Sequence, residues 1–488
     1  MRRTKIVCTI GPASSKRSIM EKMLTAGMDV ARLNFSHGTH ETHAANIALL
    51  RELARKMGKP LALLQDLSGP KIRLGDFPVP IAIKRGQEVG FCSDYAHCAD
   101  TLNEIMIPLP VPGLISALKV GSQLLIDDGK LAFRVTRIEG EKNSSSRVAW
   151  AKCTVSGEIK SRKGVTAPGV AFETQAITEK DLEDLRFGLA QGVDWVAVSY
   201  VRKASDMDPI FALMKEVGIV APVIAKIEKF EAVKNFESIL KRVQGIMVAR
   251  GDLGVETPFD EVPLVQKSII RQCNRAGKPV ITATQMLESM LQNPRPTRAE
   301  TTDVANAILD GTDAVMLSGE TAAGLFPVEA VRTMARIALT SEGALYKMTN
   351  YRERLKPTTN VTEAIARATA DIAEQINATA ILCATANGGT ARAVAQFRPD
   401  VPILGVTTSE KTYRQLALTW GVVPALIDQV EDTDSMLRLT CEVAEKRKLV
   451  KTGDTVVLTA GVPVNSPGTT NLIEVHKIGQ SHFPKPTP

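Results

Sequence analysis

Pro222-Val223-Ile224-Ala225-Lys226-Ile227-Glu228 is an apolar stretch that finishes in charge. Its apolar residues run almost without a break, as in a parallel strand covered on both faces. Lys226 and Glu228 are two residues apart, so their side chains share one face. Working outward, the same texture recurs at 5–10, 28–34, 60–66, 193–199, 245–249, 279–283 and 313–317. With 222–227 this makes eight strands, most followed by a helical pattern. Gly27, Gly58, Gly192, Gly218, Gly277 and Gly311 each stand just before the next strand, where a helix C-terminus favours glycine. Eight βα units predict a TIM barrel with its functional side chains at the C-terminal ends of the strands.

Two regions break that rhythm. Residues 70–168 hold short alternating segments, such as 121–127 and 134–137, among turn-rich pieces such as Asp127-Asp128-Gly129 and 143–146. They read as a small β domain inserted after the third strand, a common place for a lid. After about residue 345 a second series begins, with a helix over 361–376 and strands at 378–384, 401–406, 422–427 and 455–459. The predicted fold is α/β: a TIM (β/α)8 barrel, an inserted small β-barrel lid domain and a C-terminal doubly wound α/β domain. The barrel is assigned 1–69 and 169–344, the lid 70–168 and the last domain 345–488.

Composition narrows the function. Of the 488 residues 44% are apolar and 23% charged, which excludes wholesale disorder. Aromatics at 4% are too few for nucleic-acid stacking platforms, so no nucleic-acid partner is expected. The longest run without charge, 455–473, contains Gly461, Pro463, Pro467 and Gly468 and is no apolar membrane span. The basic start, Met1 to Lys5, leads into too short an apolar run for a signal peptide. Seven scattered cysteines without a C-x-x-C pair read as free thiols in a reducing cytoplasm. The net charge of +7 is mostly a solvated surface, with small phosphorylated ligands fitting the remainder.

The strand ends carry the chemistry. Strand two ends Arg32-Leu33-Asn34-Phe35-Ser36-His37, with Arg32, Asn34 and Ser36 on one face. Strand three ends at Asp66, and Arg73 follows. Strand six ends Ala249-Arg250-Gly251-Asp252, strand seven carries Thr282 and Thr284, and strand eight ends Ser318-Gly319-Glu320. One such residue is an ordinary rim salt bridge. All of them at one end of one barrel are expensive to assemble without a ligand. Glu228 and Asp252 follow adjacent strands and are placed to hold Mg²⁺, which takes one or two carboxylates plus substrate oxygens. A glycosidase pair is the competing reading. Lys226 and Arg73 beside them favour a phosphorylated substrate, clamped by Lys, Arg and a divalent metal. The spacing of His37, His40 and His43 on a helix also admits zinc, a weaker reading because only Glu41 could complete the ligand set. In the last domain, Ala386-Asn387-Gly388-Gly389-Thr390 joins a strand to a helix, where backbone N–H groups can hold phosphate. A plain turn reads equally well there.

Taken together and in this order, Arg32 to His37, Asp66 to Arg73, 221–233, Ala249 to Asp252, Thr282 to Met286 and Ser318 to Glu320 resemble the pyruvate kinase family. The likeness spans essentially the whole chain and is closest at Val223 to Lys229. The extra N-terminal segment of vertebrate forms is missing, as in the bacterial type. The resemblance implies phosphoryl transfer from phosphoenolpyruvate to ADP, giving ATP and pyruvate in glycolysis, in a cytoplasmic homotetramer. It implies that Glu228 and Asp252 bind Mg²⁺ (or Mn²⁺) and that Lys226 stabilises the phosphoryl group and the enolate. Arg32 and Arg73 then grip phosphates. The backbone of Ala249, Arg250, Gly251 and Asp252, with Thr284, binds the substrate carboxylate. Thr284 and Ser318 belong to the route that protonates enolpyruvate, with Glu320 nearby. Asn34, His37, Asp128 and Lys163 approach the nucleotide.

One departure stands out. Many relatives bind K⁺ through Asn, Ser, Asp, a following Thr, and a Glu after Gly-Pro. Here the matching residues are Asn34, Ser36, Asp66, Leu67 and Lys71. A Lys ammonium can replace the ion's charge, so activity is expected not to require K⁺. The loop with Thr385, Asn387, Gly388, Gly389 and Thr390, together with 461–470, resembles the family's pocket for a phosphorylated effector. Two other classes compete. A Schiff-base or metal-dependent keto-acid lyase would use Lys226 on the same barrel, and a non-catalytic anion-binding scaffold would need no complete clamp.

Overall fold

The computed structural model describes residues 1–93, 104–127, 129–142, 144, 146–170, 172, 175–258, 260–348, 358–463 and 470–480. Eight parallel strands close into a barrel: Lys5–Ile10, Val30–Asn34, Ala62–Asp66, Trp195–Val198, Val223–Ile227, Gly245–Ala249, Val280–Ala283 and Ala314–Leu317. The eighth strand pairs with the first, Lys5 opposite Ala314. All eight match runs expected from the sequence. Every strand residue but Asn34 is buried, as the unbroken apolar runs require.

Alternation decides which side chains line the interior. Val7, Val30, Leu64, Ala197, Ile224, Met247, Ala283 and Met316 form one buried cluster inside the barrel. Two residues further along their strands come Thr9, Arg32, Asp66, Ser199 and Lys226. The same parity that buries Ile224 therefore lifts Lys226 to the top of the interior.

The chain leaves the barrel after Asp66 and returns at the helix Glu179–Ala190. That helix is N-capped by Thr178, whose side chain accepts from Asp181 N–H, and Asp181 accepts from Gly69 N–H at 2.9 Å. The cap thus ties the exit loop to the re-entry helix. Between them lie a six-stranded sheet and a two-stranded ribbon around one core, in which Phe91 and Phe133 meet edge to face at 5.4 Å. The six-stranded sheet is mostly antiparallel, with one parallel pair between Glu88–Cys92 and Met106–Pro108.

The last domain is a five-stranded sheet in the order Val422–Leu426, Ile403–Thr407, Ala380–Ala384, Thr455–Ala460, Leu472–Lys477. The first four are parallel and were expected. Leu472–Lys477 is an added antiparallel edge, with Val457 opposite Val475. A short 3₁₀ turn of this domain, Leu416–Leu418, places Ala417 and Leu418 in the same buried cluster as the barrel interior. The N-terminal mouth of the barrel is therefore closed by the C-terminal domain. Trp195 Nε1 donates to Gln415 O at 3.3 Å, Lys5 Nζ to Val422 O at 2.7 Å, and Arg398 pairs with Asp313 at 3.0 Å.

The cysteines need one correction. Cys8, Cys153, Cys273, Cys383 and Cys441 are free and buried, but Cys92 is disulfide-bonded, with its partner outside the described residues. Among the described residues no helix is long and apolar enough to cross a membrane.

Candidate active site

The top of the barrel holds a buried ionic lattice. Arg32 Nε meets Asp66 Oδ2 at 2.6 Å, and Arg32 Nη1 donates to Thr9 Oγ1 at 2.9 Å. Lys226 Nζ lies 3.2 Å from Asp66 Oδ1, 2.8 Å from Glu228 Oε1 and 2.7 Å from Ser199 Oγ. An ammonium has three N–H donors, so each has a partner. Ser199 Oγ in turn donates to Leu67 O at 2.7 Å. Burial opposes charge on Lys226, yet Asp66 and Glu228 hold its pKa above the ordinary lysine value. Burial likewise opposes charge on Asp66, and Lys226 and Arg32 keep its carboxyl below the usual range. Lys226 and Asp66 therefore both keep their charge at neutral pH.

Above it opens a cleft of about 980 Å³ between the barrel top and the β-rich insertion. From the barrel it is lined by Tyr200, Glu228 and Asp252, and from the insertion by Lys71, Arg73 and Lys163. Arg73 bridges to Gly164 across the insertion, and its Nη1 donates to Arg162 O at 3.0 Å. Lys163 Nζ pairs with Asp127 at 2.9 Å. Glu228 is fixed from two sides: Oε1 by Lys226, Oε2 by Tyr200 N–H at 2.7 Å. Tyr200 takes a left-handed φ of 56° to present that N–H.

The loops after strands six and seven lock together. Gly251 N–H donates to Thr284 Oγ1 at 2.8 Å, and Thr284 Oγ1 donates to Ala283 O at 2.6 Å. Thr284 and Gln285 have φ of 68° and 53°, left-handed values that cost about 1–3 kcal/mol each in side-chain-bearing residues. At strand eight, Glu320 accepts from Ser318 N–H at 2.8 Å and from Leu287 N–H at 3.0 Å. Burial raises the Glu320 pKa. The Ser318 hydroxyl is buried without a hydrogen-bond partner.

A barrel with charged strand ends, a β-rich insertion after strand three and a second α/β domain is a restricted combination. Family models for the pyruvate kinase barrel domain and alpha/beta domain match residues 1–331 and 363–476. The chain belongs to the pyruvate kinase family. It is an enzyme of the phosphotransferase class. The pyruvate kinase of Sporosarcina psychrophila is 47% identical over 482 residues, covering 98% of this chain and 81% of the relative. Those of Staphylococcus aureus strain MRSA252 and Staphylococcus epidermidis are 46% and 45% identical over 489 residues, with the same coverage.

The expected pyruvate kinase site residues are spread over several places. Arg73, Lys163, Glu228, Asp252 and Lys71 line the cleft together. Asp66 lies beneath it, bonded to both Lys226 and Arg32. Asp128 lies outside the described residues. His37 is exposed near the entrance, where burial, Lys71, Arg73 and Arg32 lower its pKa. Asn34 Oδ1 accepts from Ser36 N–H at 3.1 Å, and Ser36 Oγ reaches Ser68 Oγ at 3.2 Å. Leu67 is buried and offers only its carbonyl. Arg250, expected to offer its backbone to the substrate, directs its guanidinium to Asp303 and the Thr284 loop.

The three histidines do not converge. His40 pairs with Asp184 at 2.7 Å, and His43 stacks on Phe35 at 4.1 Å. Among the described residues no group of three or more His, Cys, Asp or Glu is arranged for a metal. A hard divalent ion held by two carboxylates and substrate oxygens does not need such a group, and Glu228 with Asp252 fits it.

Reading the sequence missed Ser199, Tyr200 and Arg392. Ser199 ends strand four as the other charged or hydroxyl residues end theirs, so the signal was present. In the last domain Thr385 Oγ1 is buried without a partner, and Asn387 Oδ1 accepts from Gly389 N–H at 3.0 Å. Thr390 Oγ1 meets Thr470 Oγ1 at 2.9 Å. Arg392 Nη2 donates to Asn387 O at 2.8 Å, and burial lowers its pKa. Among the described residues no carboxylate pairs with Arg392.

Proposed function

We propose that the protein transfers the phosphoryl group of phosphoenolpyruvate to ADP, giving ATP and pyruvate, in the cleft between barrel and insertion. The observation that carries the reading is Lys226, an ammonium held charged by Asp66 and by Glu228, which itself lines that cleft. Glu228 and Asp252 would hold Mg²⁺ or Mn²⁺, which supplies charge neutralisation when bound. Arg73 and Lys163 neutralise phosphate from the insertion side. The Gly251 and Asp252 backbone with Thr284 takes the substrate carboxylate. Once the phosphoryl group has left, the enolate accepts a proton at its methylene carbon through a route that includes Thr284 and Ser318. The insertion acts as a lid that keeps water from the phosphoryl group.

The division into barrel (1–69 and 169–344), lid (70–168) and regulatory domain (345–488) follows the change in sheet type along the chain. A cytoplasmic homotetramer with a phosphorylated effector at Thr385 to Thr390 completes the reading. The lyase alternative lacks support, because a Schiff base needs a neutral amine and Lys226 is held as ammonium.

A coupled assay of ATP formation from phosphoenolpyruvate and ADP, with and without Mg²⁺, is the test. Lys226→Met is expected to lower kcat by at least about 100–1,000-fold with folding intact, the scale of losing a positioned charge at the reacting group. Full activity in that variant would overturn the assignment.

A further inference from the structure

Arg250 stands between the two loops that carry Asp252 and Thr284. Its side chain is only 10% exposed. Nη1 pairs with Asp303 at 2.7 Å, on the helix Arg298–Leu309. Nε and Nη2 donate to Thr284 O at 3.3 and 2.7 Å, and Nη2 also reaches Gln285 O at 3.2 Å. Both acceptors belong to the two consecutive left-handed residues. That conformation turns successive carbonyl groups to one side, where one planar guanidinium collects both. The next peptide after Arg250 then closes the arrangement, since Gly251 N–H donates to Thr284 Oγ1.

We propose that Arg250, braced by Asp303, is a positioning residue that holds the strained Thr284–Gln285 backbone and so sets the Thr284 hydroxyl against Gly251 and Asp252. It acts on the reaction through Thr284 and does not touch substrate. The inference rests on the role proposed above for Thr284. Lysine cannot reproduce the function, because one ammonium lacks the planar fork that spans two carbonyls and a carboxylate. A misplacement of about 1 Å at a reacting group costs on the order of 100-fold in rate.

Steady-state kinetics on four variants tests it. Arg250→Lys should lower kcat by about 100-fold while the KM for phosphoenolpyruvate moves less than about threefold. Asp303→Asn should act in the same direction with a smaller effect. Adding Gln285→Gly to either variant should recover at least about tenfold of a 100-fold loss, because glycine takes a left-handed φ without the side-chain penalty. Thr284→Val, measured in parallel, should lower kcat itself. A large rise in KM at constant kcat would make Arg250 a substrate ligand and overturn the proposal. So would absence of rescue by Gln285→Gly. Near-normal kcat in Arg250→Lys, with Thr284→Val impaired, would overturn the positioning role alone. Normal kcat in Thr284→Val would overturn the role of Thr284 and this inference with it. Should Arg250→Lys fail to fold by circular dichroism, Asp303→Asn with and without Gln285→Gly decides.

Discussion

Lys71 stands where the family resemblance puts a Glu that helps to hold K⁺. It lines the cleft, and burial together with Arg73 and Lys226 lowers its pKa, while Asp252 and Asp66 act the other way. A side chain that feels all four charges is already among the groups an ion would serve. Asp66, meanwhile, has its two oxygens engaged by Arg32 and Lys226, and Leu67 brings no hydroxyl. Lys71→Glu is therefore expected to create a K⁺ dependence, with activity low in K⁺-free buffer and restored by K⁺. Strong K⁺ activation of the unaltered protein would contradict this. The gathering of charge and hydroxyl at one end of the barrel was legible in the sequence, because such strand ends are visible one residue at a time. The fixed direction of Arg250 was not. Nothing in Ala249-Arg250-Gly251 tells whether a guanidinium turns to the cleft or to a helix that starts 48 positions later at Arg298.

Among the elements, the barrel strands were readable because each is buried on both faces and so lacks polar interruptions. The edge strand Leu472–Lys477 was not, since Glu474, His476 and Lys477 interrupt its apolar pattern. The first strand shows how far an element depends on a remote one. Lys5 is buried, and its ammonium donates to Val422 O, with no carboxylate among the described residues at hydrogen-bond distance. Burial lowers its pKa, with Arg2 adding to the effect and Asp29 and Glu342 opposing it. Between that lowered value and 10.5 the unfolded chain binds more protons at Lys5 than the native one. Stability contributed by this group consequently rises as pH climbs through that window. Lys5→Met removes the buried charge. Its urea midpoint should match or exceed the parent's at pH 7, and its relative advantage should shrink towards pH 10. An advantage that grows with pH would show that the ammonium is a net stabiliser.

For the whole molecule, the succession of barrel, β-rich insertion and α/β domain was legible from changes in texture, but the way they meet was not. No local pattern marks Ala417 and Leu418 as part of the barrel interior, because they lie in a short turn of another domain. Hydrogen bonds and an ion pair also link the loop at Thr385 to the barrel: Thr407 and Thr412 hydroxyls both donate to Ala386 O, and two residues after Thr412 Arg414 pairs with Asp194 beside strand four. Phosphorylated metabolites such as AMP and sugar monophosphates should accordingly shift the saturation curve for phosphoenolpyruvate at subsaturating concentration. Arg392→Ala should abolish the shift while leaving the curve without effector in place. A shift that survives Arg392→Ala would move the effector elsewhere.

The closed barrel mouth has a consequence for synthesis. Lys5 leaves the ribosome long before its acceptor Val422, which is 417 residues behind it. At about 5–20 residues per second, roughly 20–80 s separate the two. During that interval the nascent barrel has an uncapped apolar floor ringed by Lys5, Trp195 and Asp313. That floor stays open until Ala417 and Leu418 have been made, and a fragment ending near residue 345 would keep it exposed for good.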